Sequence, residues 1–377
     1  MIKKINKECS MRSFSISKVD FDAGCWVVRP GKGYRYYEHF LIANVAAIGH
    51  FDEYLSSEMD LTIDNFEKIK NEYYKDQAKQ GETANSIGAG INQVRKFIFD
   101  MEVGDLIFTI GPFGIVAGVI KSEAYVDEEP LVFDIKSYPQ ITEELPFKLR
   151  RNISWGKSYP KSSMPLAIKM SFKANQTVFS ASEHIRSIYH WLNTIFIADE
   201  TVYTSARINQ IDDIHHYSVT KFAETLNKIE ALARLIEDTD FEKNNINLDE
   251  IDSKLLELAL DDDLHLTTQQ AFMSPGDYWN GFNSKSKKSL VAFVLAICFL
   301  FDVSPVFADP EEAKIADQLH APIKNVMDKM KAKNGIELVK EKLELELPEQ
   351  NKKIIKDITT NHNIVFPKVR DSDSGVR

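Results

Sequence analysis

Cysteine is scarce in this chain and badly placed for cross-linking. Its three cysteines, Cys9, Cys25 and Cys298, lie far apart with no paired spacing. That excludes a disulfide framework and a zinc knuckle, and points to a reducing cytoplasm. Long hydrophobic runs are also missing. The longest, Leu290 to Phe301, has twelve apolar residues between Lys287-Lys288 and Asp302. As a helix it spans about 18 Å, short of the roughly 30 Å hydrocarbon core. Extending it to Ala308 takes in Asp302 and Pro305. The run therefore reads as a buried helix, with a membrane-active segment over 290–308 as the alternative. Lys3 and Lys4 are followed by no apolar stretch, so no signal peptide is expected. Basic charge is not in excess either, since the formal net charge is −10. Residues 1–182 hold 23 Lys+Arg and 23 Asp+Glu, and residues 183–377 hold 23 against 33. An affinity built mainly on phosphate neutralisation is excluded. Nucleic-acid binding by the front half would need a local pocket with a small basic rim. The acidic back half suits protein contact or solubility.

What is present begins in the front third. Trp26-Val27-Val28 is a β-branched, aromatic run ended by Pro30-Gly31. Residues 36–44 fit a short helix and 45–48 a buried strand. Asp60-Leu61-Thr62 supplies a helix cap before Phe66, Ile69 and Tyr73. Ile91, Val94, Phe97, Ile98 and Met101 lie on one helical face. Gly104-Asp105 turns the chain into a strand over 106–110, and Gly111 to Gly114 makes a hairpin into 115–120. Residues 152–155 read as a late strand. Residues 1–20 read as a loosely held arm.

The back half reads as helical. Ile185, Ile188, Tyr189, Leu192 and Ile195 mark one amphipathic segment, and Phe222, Leu226, Ile229, Leu232 and Ile236 another. Residues 248–260 make a third. Asp309-Pro310-Glu311-Glu312 has the composition of a helix start, and Gly335 is a stop.

The front-third elements, in their order, resemble the PUA-like/EVE-like domain found at the N-terminus of Mrr-type restriction proteins and related defence proteins. The residues that carry the likeness are Trp26, Gly31 to Gly33, Ile48-Gly49, Asp60-Leu61, Gln93 to Phe97, Gly104-Asp105-Leu106 and Arg151 to Trp155, with the closing Ser171 to Phe179. They cover about residues 22–182. Val94 stands where the family carries an aromatic, and His50 where it carries a tryptophan; both would reshape the pocket. The resemblance implies a small β-barrel whose aromatic mouth receives one base, in several members a modified one. Aromatic walls repay the unstacking of such a base. The residues suited to that role are Trp26, Tyr34, Phe108 and Trp155 as walls, with Arg29, Lys32 and Arg35 as a rim and Arg151 toward phosphate. The opposing reading makes the strand tryptophans core residues.

No catalytic constellation stands out. A Mrr-type nuclease would carry an Asp and a Glu-X-Lys around a metal ion. Only Glu312-Ala313-Lys314 with Asp302 upstream matches, and it sits at a helix start where such residues are common. His215-His216 beside Asp212-Asp213 reads as a polar loop. Gly88 to Gly90 lacks the lysine and the strand–turn–helix setting of a phosphate loop. The expected fold class is α+β, a PUA-like (EVE-like) β-barrel over 22–182 followed by an α-helical bundle over 184–370. An arm at 1–21 and a tail at 371–377 flank them. The expected function is recognition of DNA or RNA, with modified bases included, in a bacterial anti-phage or restriction-type system. The helical domain would self-associate or contact an effector protein. No metal, cofactor or membrane partner is expected. The alternatives are a nuclease or other enzyme sited in the helical domain, and a membrane-active effector.

Overall fold

Apolar residues recur with a period of two in some segments and of about 3.6 in others, and the chain folds accordingly into mixed α and β structure with a curled half-barrel sheet. The computed structural model describes residues 12–134, 142–165, 168–169, 172, 176–238, 246–271 and 275–362. The strands are β1 (Ser13–Lys18), β2 (Cys25–Val28), β3 (Val45–Ile48), β4 (Leu106–Ile110), β5 (Ile115–Ile120), β6 (Tyr125–Val126), β7 (Leu131–Asp134), β8 (Thr142–Leu145), β9 (Leu149–Tyr159), β10 (Val178–Ser180), β11 (Ile195–Ala198), β12 (Thr201–Ile208), β13 (Leu266–Ala271), β14 (Gly276–Asn283), β15 (Ser304–Phe307) and β16 (Leu345–Glu346). The α-helices are α1 (Tyr37–Ala43), α2 (Ile63–Lys79), α3 (Ala84–Arg95), α4 (Ile185–Leu192), α5 (His216–Asp238), α6 (Leu248–Leu260), α7 (Lys287–Leu300), α8 (Pro310–Asn334), α9 (Ile336–Leu343) and α10 (Lys352–His362).

The chain divides into two compact units. One holds residues up to Asp22, Pro165–Ile168 and His184–Ile355; the other holds Ala23–Met164, Lys169–Glu183 and the residues from Lys356 on. In chain order, most of the second is inserted between β1 and α4 of the first.

The first unit corrects the expectation of a helical bundle. Its centre is a sheet in the order β13-β14-β12-β11-β1-β15, with β16 also paired to β12. Helices pack on this sheet, and the run Leu290 to Phe301 forms most of α7. That helix is capped by Ser286 and sits in the core with Phe222, Phe282 and Leu319. Among the described residues, no helix is long and apolar enough to cross a membrane. The other capping readings hold here: the Asp309 side chain accepts from the Glu311 N–H at 2.9 Å, and Gly335 ends α8 with φ of 60°. Ile195 lies outside α4, in β11, because Asn193 closes the helix in an extended conformation.

The expected arm is also corrected. Ser13–Lys18 is β1, an inner strand parallel to both β11 and β15. Phe14 and Ile16 alternate into the core while the serines face away. The serine face is neutralised by a buried amide ladder. Gln350 accepts from the Ser15 N–H and donates to the Ser15 carbonyl, both at 2.8 Å. Asn193 donates to Ser17 Oγ at 2.7 Å.

The second unit contains the sheet β10-β2-β4-β5-β9-β3, with β6 on β9. β2 and β4 are parallel, and the other strand pairs of this sheet are antiparallel. The eleven-residue β9 pairs with β3 through its first residues and with β5 through its later ones. Within the β5 pairing the register shifts between Val116 and Gly118. Gly118 is required there, because a Cβ would come within 2.6 Å of both Ile153 and the Trp155 ring. The described parts of 122–147 form β6 and the two-stranded β7-β8 hairpin. Residues 135–141, 171, 173–175 and the tail 371–377 lie outside the described residues.

Behind the sheet, α3 runs into a wider π-type turn over Lys96–Asp100. A helix end leaves carbonyls without intrahelical donors. The buried guanidinium of Arg151 supplies them: Nε donates to Phe97 O at 2.8 Å, and Nη2 to Ile98 O at 3.0 Å and Met101 O at 2.9 Å. Nη1 reaches Ser122 O at 2.9 Å. Burial pulls this arginine's pKa down, opposed by Glu123 and Asp105. Replacing Arg151 by Met should cost about 3–5 kcal/mol, because it strands four carbonyls. Urea unfolding measures this; a loss below about 1 kcal/mol would contradict the assignment.

In the first unit, His190 lies flat on Trp279, with ring centroids 4.5 Å apart and planes 1° from parallel. Its Nδ1 is 2.8 Å from Ser205 Oγ. Burial, aided by the charge of Arg186, pushes its pKa down to about 3. A depressed histidine is neutral when folded and binds protons more readily when unfolded. Its contribution is therefore complete above the unfolded value of about 6.5 and is lost as pH falls toward 3. Wild-type stability should fall by about 2 kcal/mol more than that of His190→Gln between pH 7 and pH 5. Parallel unfolding curves at the two pH values would refute this.

Candidate nucleic-acid interface

Strand register gives the half-barrel two distinct ends. β2 and β4 run parallel, with Trp26 opposite Ile107 and Val27 opposite Phe108. β5 and β10 run the other way, with Val119 opposite Leu106 and Val178 opposite Val28. One end therefore gathers Gly24, Glu102 to Asp105, Ser122 and Glu123. The other gathers Arg29, Ile110 to Gly114, Ser158-Tyr159 and Thr177.

The first end is closed. Asp105, 7% exposed, accepts from the Gly24 N–H at 2.9 Å, the Glu102 N–H at 2.9 Å and the Trp26 indole N–H at 2.8 Å. Trp26 is 7% exposed, and its one polar atom is already bonded inside the protein. Trp155 is 5% exposed, and its indole N–H donates to Phe40 O at 2.9 Å and Val45 O at 3.3 Å. Phe108 is buried on the opposite face of β4 from Ile107, with its ring edge-on to Phe172. Arg151 is the helix-end clamp described above. Trp26, Phe108 and Trp155 form no ring-lined mouth, and that arrangement is corrected: the three rings are buried, and both indole N–H groups and the Arg151 guanidinium are hydrogen-bonded inside the protein.

Arg29 and Tyr34 belong to the other end. Arg29 is half-buried; its backbone N–H donates to Thr177 O at 2.8 Å and its Nη2 to Phe172 O at 2.6 Å. The following loop, Gly31 to Arg35, takes positive φ at Gly31 (77°), Gly33 (66°) and Tyr34 (65°). A non-glycine residue in this region is strained. Tyr34 is held there with Lys161 Nζ 4.7 Å from its ring centroid. Arg35 is exposed and ion-paired with Glu143. Lys32 is exposed.

The residue that sequence reasoning missed is Phe113. It is 83% exposed, at the tip of the turn that joins β4 to β5, where the Gly111 N–H donates to Gly114 O at 2.8 Å. Both glycines are forced by close approach: a Cβ on Gly111 would meet the Tyr37 ring at 2.6 Å, and one on Gly114 would strike the Tyr159 carbonyl. Tyr37 and β9 thus buttress the turn from both sides. Beside it, exposed Lys157 lies over the Tyr159 ring at 5.3 Å. The signal was available, because Gly-Pro-Phe-Gly puts a large apolar side chain on a two-residue tip with nothing to cover it. A second signal is one-sided charge: residues 146–182 contain seven Lys and Arg and no Asp or Glu.

Part of the polar interior of this unit is incompletely satisfied. The Gln93 side-chain oxygen accepts from the Thr177 N–H at 2.6 Å and the Val178 N–H at 3.0 Å. His50 lies beside Gln93; burial lowers its pKa and the Gln93 amide opposes the shift. His50 Nε2 and the fully buried Thr109 Oγ1 have no hydrogen-bond partner among the described residues. Buried donors and acceptors left open are uncommon and costly.

The remaining sequence candidates do not assemble. Glu312 is paired with Lys18 at 2.9 Å, whereas Asp302 is paired with Lys331 at 2.7 Å and Lys340 at 2.8 Å. Glu312 is in the first turn of α8 and Lys331 in its last, so the two carboxylates lie at opposite ends of a 25-residue helix. His215 and His216 are exposed. Among the described residues no group of His, Cys, Asp and Glu has the arrangement of a metal site. Cys25 and Cys298 are buried thiols whose pKa burial pushes up. No family model, curated protein or solved structure matches the chain.

Because Trp26 anchors the closed end, Trp26→Phe should lower stability by about 1–3 kcal/mol through the stranded Asp105 oxygen. It should leave oligonucleotide affinity unchanged. Loss of affinity at full stability would return Trp26 to the site.

Proposed function

We propose that the second unit recognises unpaired bases of DNA or RNA at its basic end. The observation that carries this reading is Phe113, an aromatic ring 83% exposed on a buttressed tip, at the end of the sheet where Lys157 lies over Tyr159 and Lys161 over Tyr34. An exposed ring is the surface on which a base stacks, and flanking cations follow the backbone phosphates. Tyr34, fixed by Lys161, supplies a second ring. Arg29 stands at the base of the loop. The chain is not strongly basic, so affinity comes from this local cluster.

The reading keeps the PUA-like/EVE-like likeness as its frame but moves the contact from strand tryptophans to the turn and loop. In that frame the protein acts in the bacterial cytoplasm as a sensor in an anti-phage or restriction-type system, and modified bases are among the ligands to test. The first unit carries the contacts with other proteins.

Fluorescence anisotropy with labelled single-stranded DNA and RNA, plain and base-modified, tests the proposal. Phe113→Ala should weaken binding about fivefold to a hundredfold, the range for losing one stacked base. Lys157→Glu with Lys161→Glu should weaken it further and flatten its salt dependence. Equal affinity in the wild type and in both variants would defeat the reading.

A further inference from the structure

Helix α6 is apolar on two faces, and only one of them is covered. Ile251 and Leu258 are buried, and Leu255 packs partly against the core of the first unit. On the opposite side Leu256 is 61% exposed and Leu260, one turn on, is 76% exposed; Leu264, just past the helix end, is 40% exposed. Leucines four residues apart form a ridge along a helix. A groove of about 380 Å³ runs beside it, lined by Leu235, Asn247, Asp249, Glu250, Ser253, Lys254 and Glu257.

The segment is predominantly acidic, although Glu257 is paired with Lys254 at 2.8 Å and Asp249 with Lys333 at 3.8 Å. Between residues 247 and 264 the sequence holds Asp249, Glu250, Asp252, Glu257, Asp261, Asp262 and Asp263 against Lys254 alone. Several carboxylates pair with lysines and an arginine from neighbouring elements, as Asp252 does with Lys228 at 2.8 Å and Asp263 with Arg234 at 2.6 Å. Asp261 and Asp262 are exposed, directly after the ridge. A second copy of this face would set carboxylates against carboxylates, because a two-fold interface meets itself. An anionic membrane surface is repelled for the same reason.

We infer that the α6 face docks a basic amphipathic helix of another protein. Its apolar side would lie on Leu256, Leu260 and Leu264, and its lysines or arginines would enter the acidic groove. This is helix-in-groove recognition with charge setting the choice of partner. It does not depend on the base-reading proposal for the other unit.

The test uses the full chain and a labelled synthetic helix of leucine and lysine, with leucines at i, i+3 and i+4 spacing. The same peptide with glutamate for lysine is the control. The lysine peptide should bind and the glutamate peptide should not. Leu256→Ser with Leu260→Ser changes exposed residues and should weaken binding about tenfold or more. Asp261→Lys with Asp262→Lys should weaken it and reduce its salt dependence. Three results would overturn the inference: no binding of the lysine peptide; binding equal in the wild type and the leucine variant; or a dimer in sedimentation that the leucine variant dissolves, which would make a second copy the occupant.

Discussion

The carboxylate of Asp105 decides what the half-barrel can do. It gathers two backbone N–H groups and the Trp26 indole N–H into one buried cluster. Arg151 does the complementary work nearby, taking up the carbonyls left at the end of α3. Between them they close one end of the sheet with internal hydrogen bonds. Such networks are rigid when every member is satisfied, and costly when one is removed. The consequence is polarity in the functional sense. The contacts proposed for nucleic acid lie at the opposite end, with the turn glycines, Tyr34 and Phe113.

The first unit solves a different problem. β1 is separated in sequence from the strands it joins, and four of its six residues are serine or lysine. It is held between β11 and β15 because Phe14 and Ile16 fill the core while Gln350 and Asn193 satisfy the serine face. The same economy leaves α7 buried within the unit and pushes charge outward. The result is a face at α6 where leucine and carboxylate are both exposed.

Local signals in the sequence were read well and long-range ones poorly. Thr62 and Asp309 cap helices, Gly335 ends one, and the turn at 111–114 joins two strands, because each depends on a few neighbouring residues. The helical period of 222–236 and 248–260 was equally plain. The strands of the back half were not. β12 and β14 mix Thr, Ser, Asn and Gly with aromatics, and only their pairing to each other explains them. β1 reads as a polar arm because only two of its residues, Phe14 and Ile16, are apolar. At the site, composition identified aromatic and basic residues but not which were accessible. Residue type points to Trp26, Phe108, Trp155 and Arg151, and their burial takes them out of the site. Phe113 has no periodicity to mark it; its place on the Gly-Pro-Phe-Gly tip is the local signal, and its exposure bears that out.

The central claim is that the turn end, and not the Asp105 end, meets nucleic acid. Ultraviolet cross-linking of the intact protein to a photoreactive single-stranded oligonucleotide, with the attached peptides mapped by mass spectrometry, tests it most directly. The account predicts adducts at Phe113 and in the segments 31–35 and 157–161. Adducts concentrated at 102–105 or 122–123, or in the first unit alone, would contradict it.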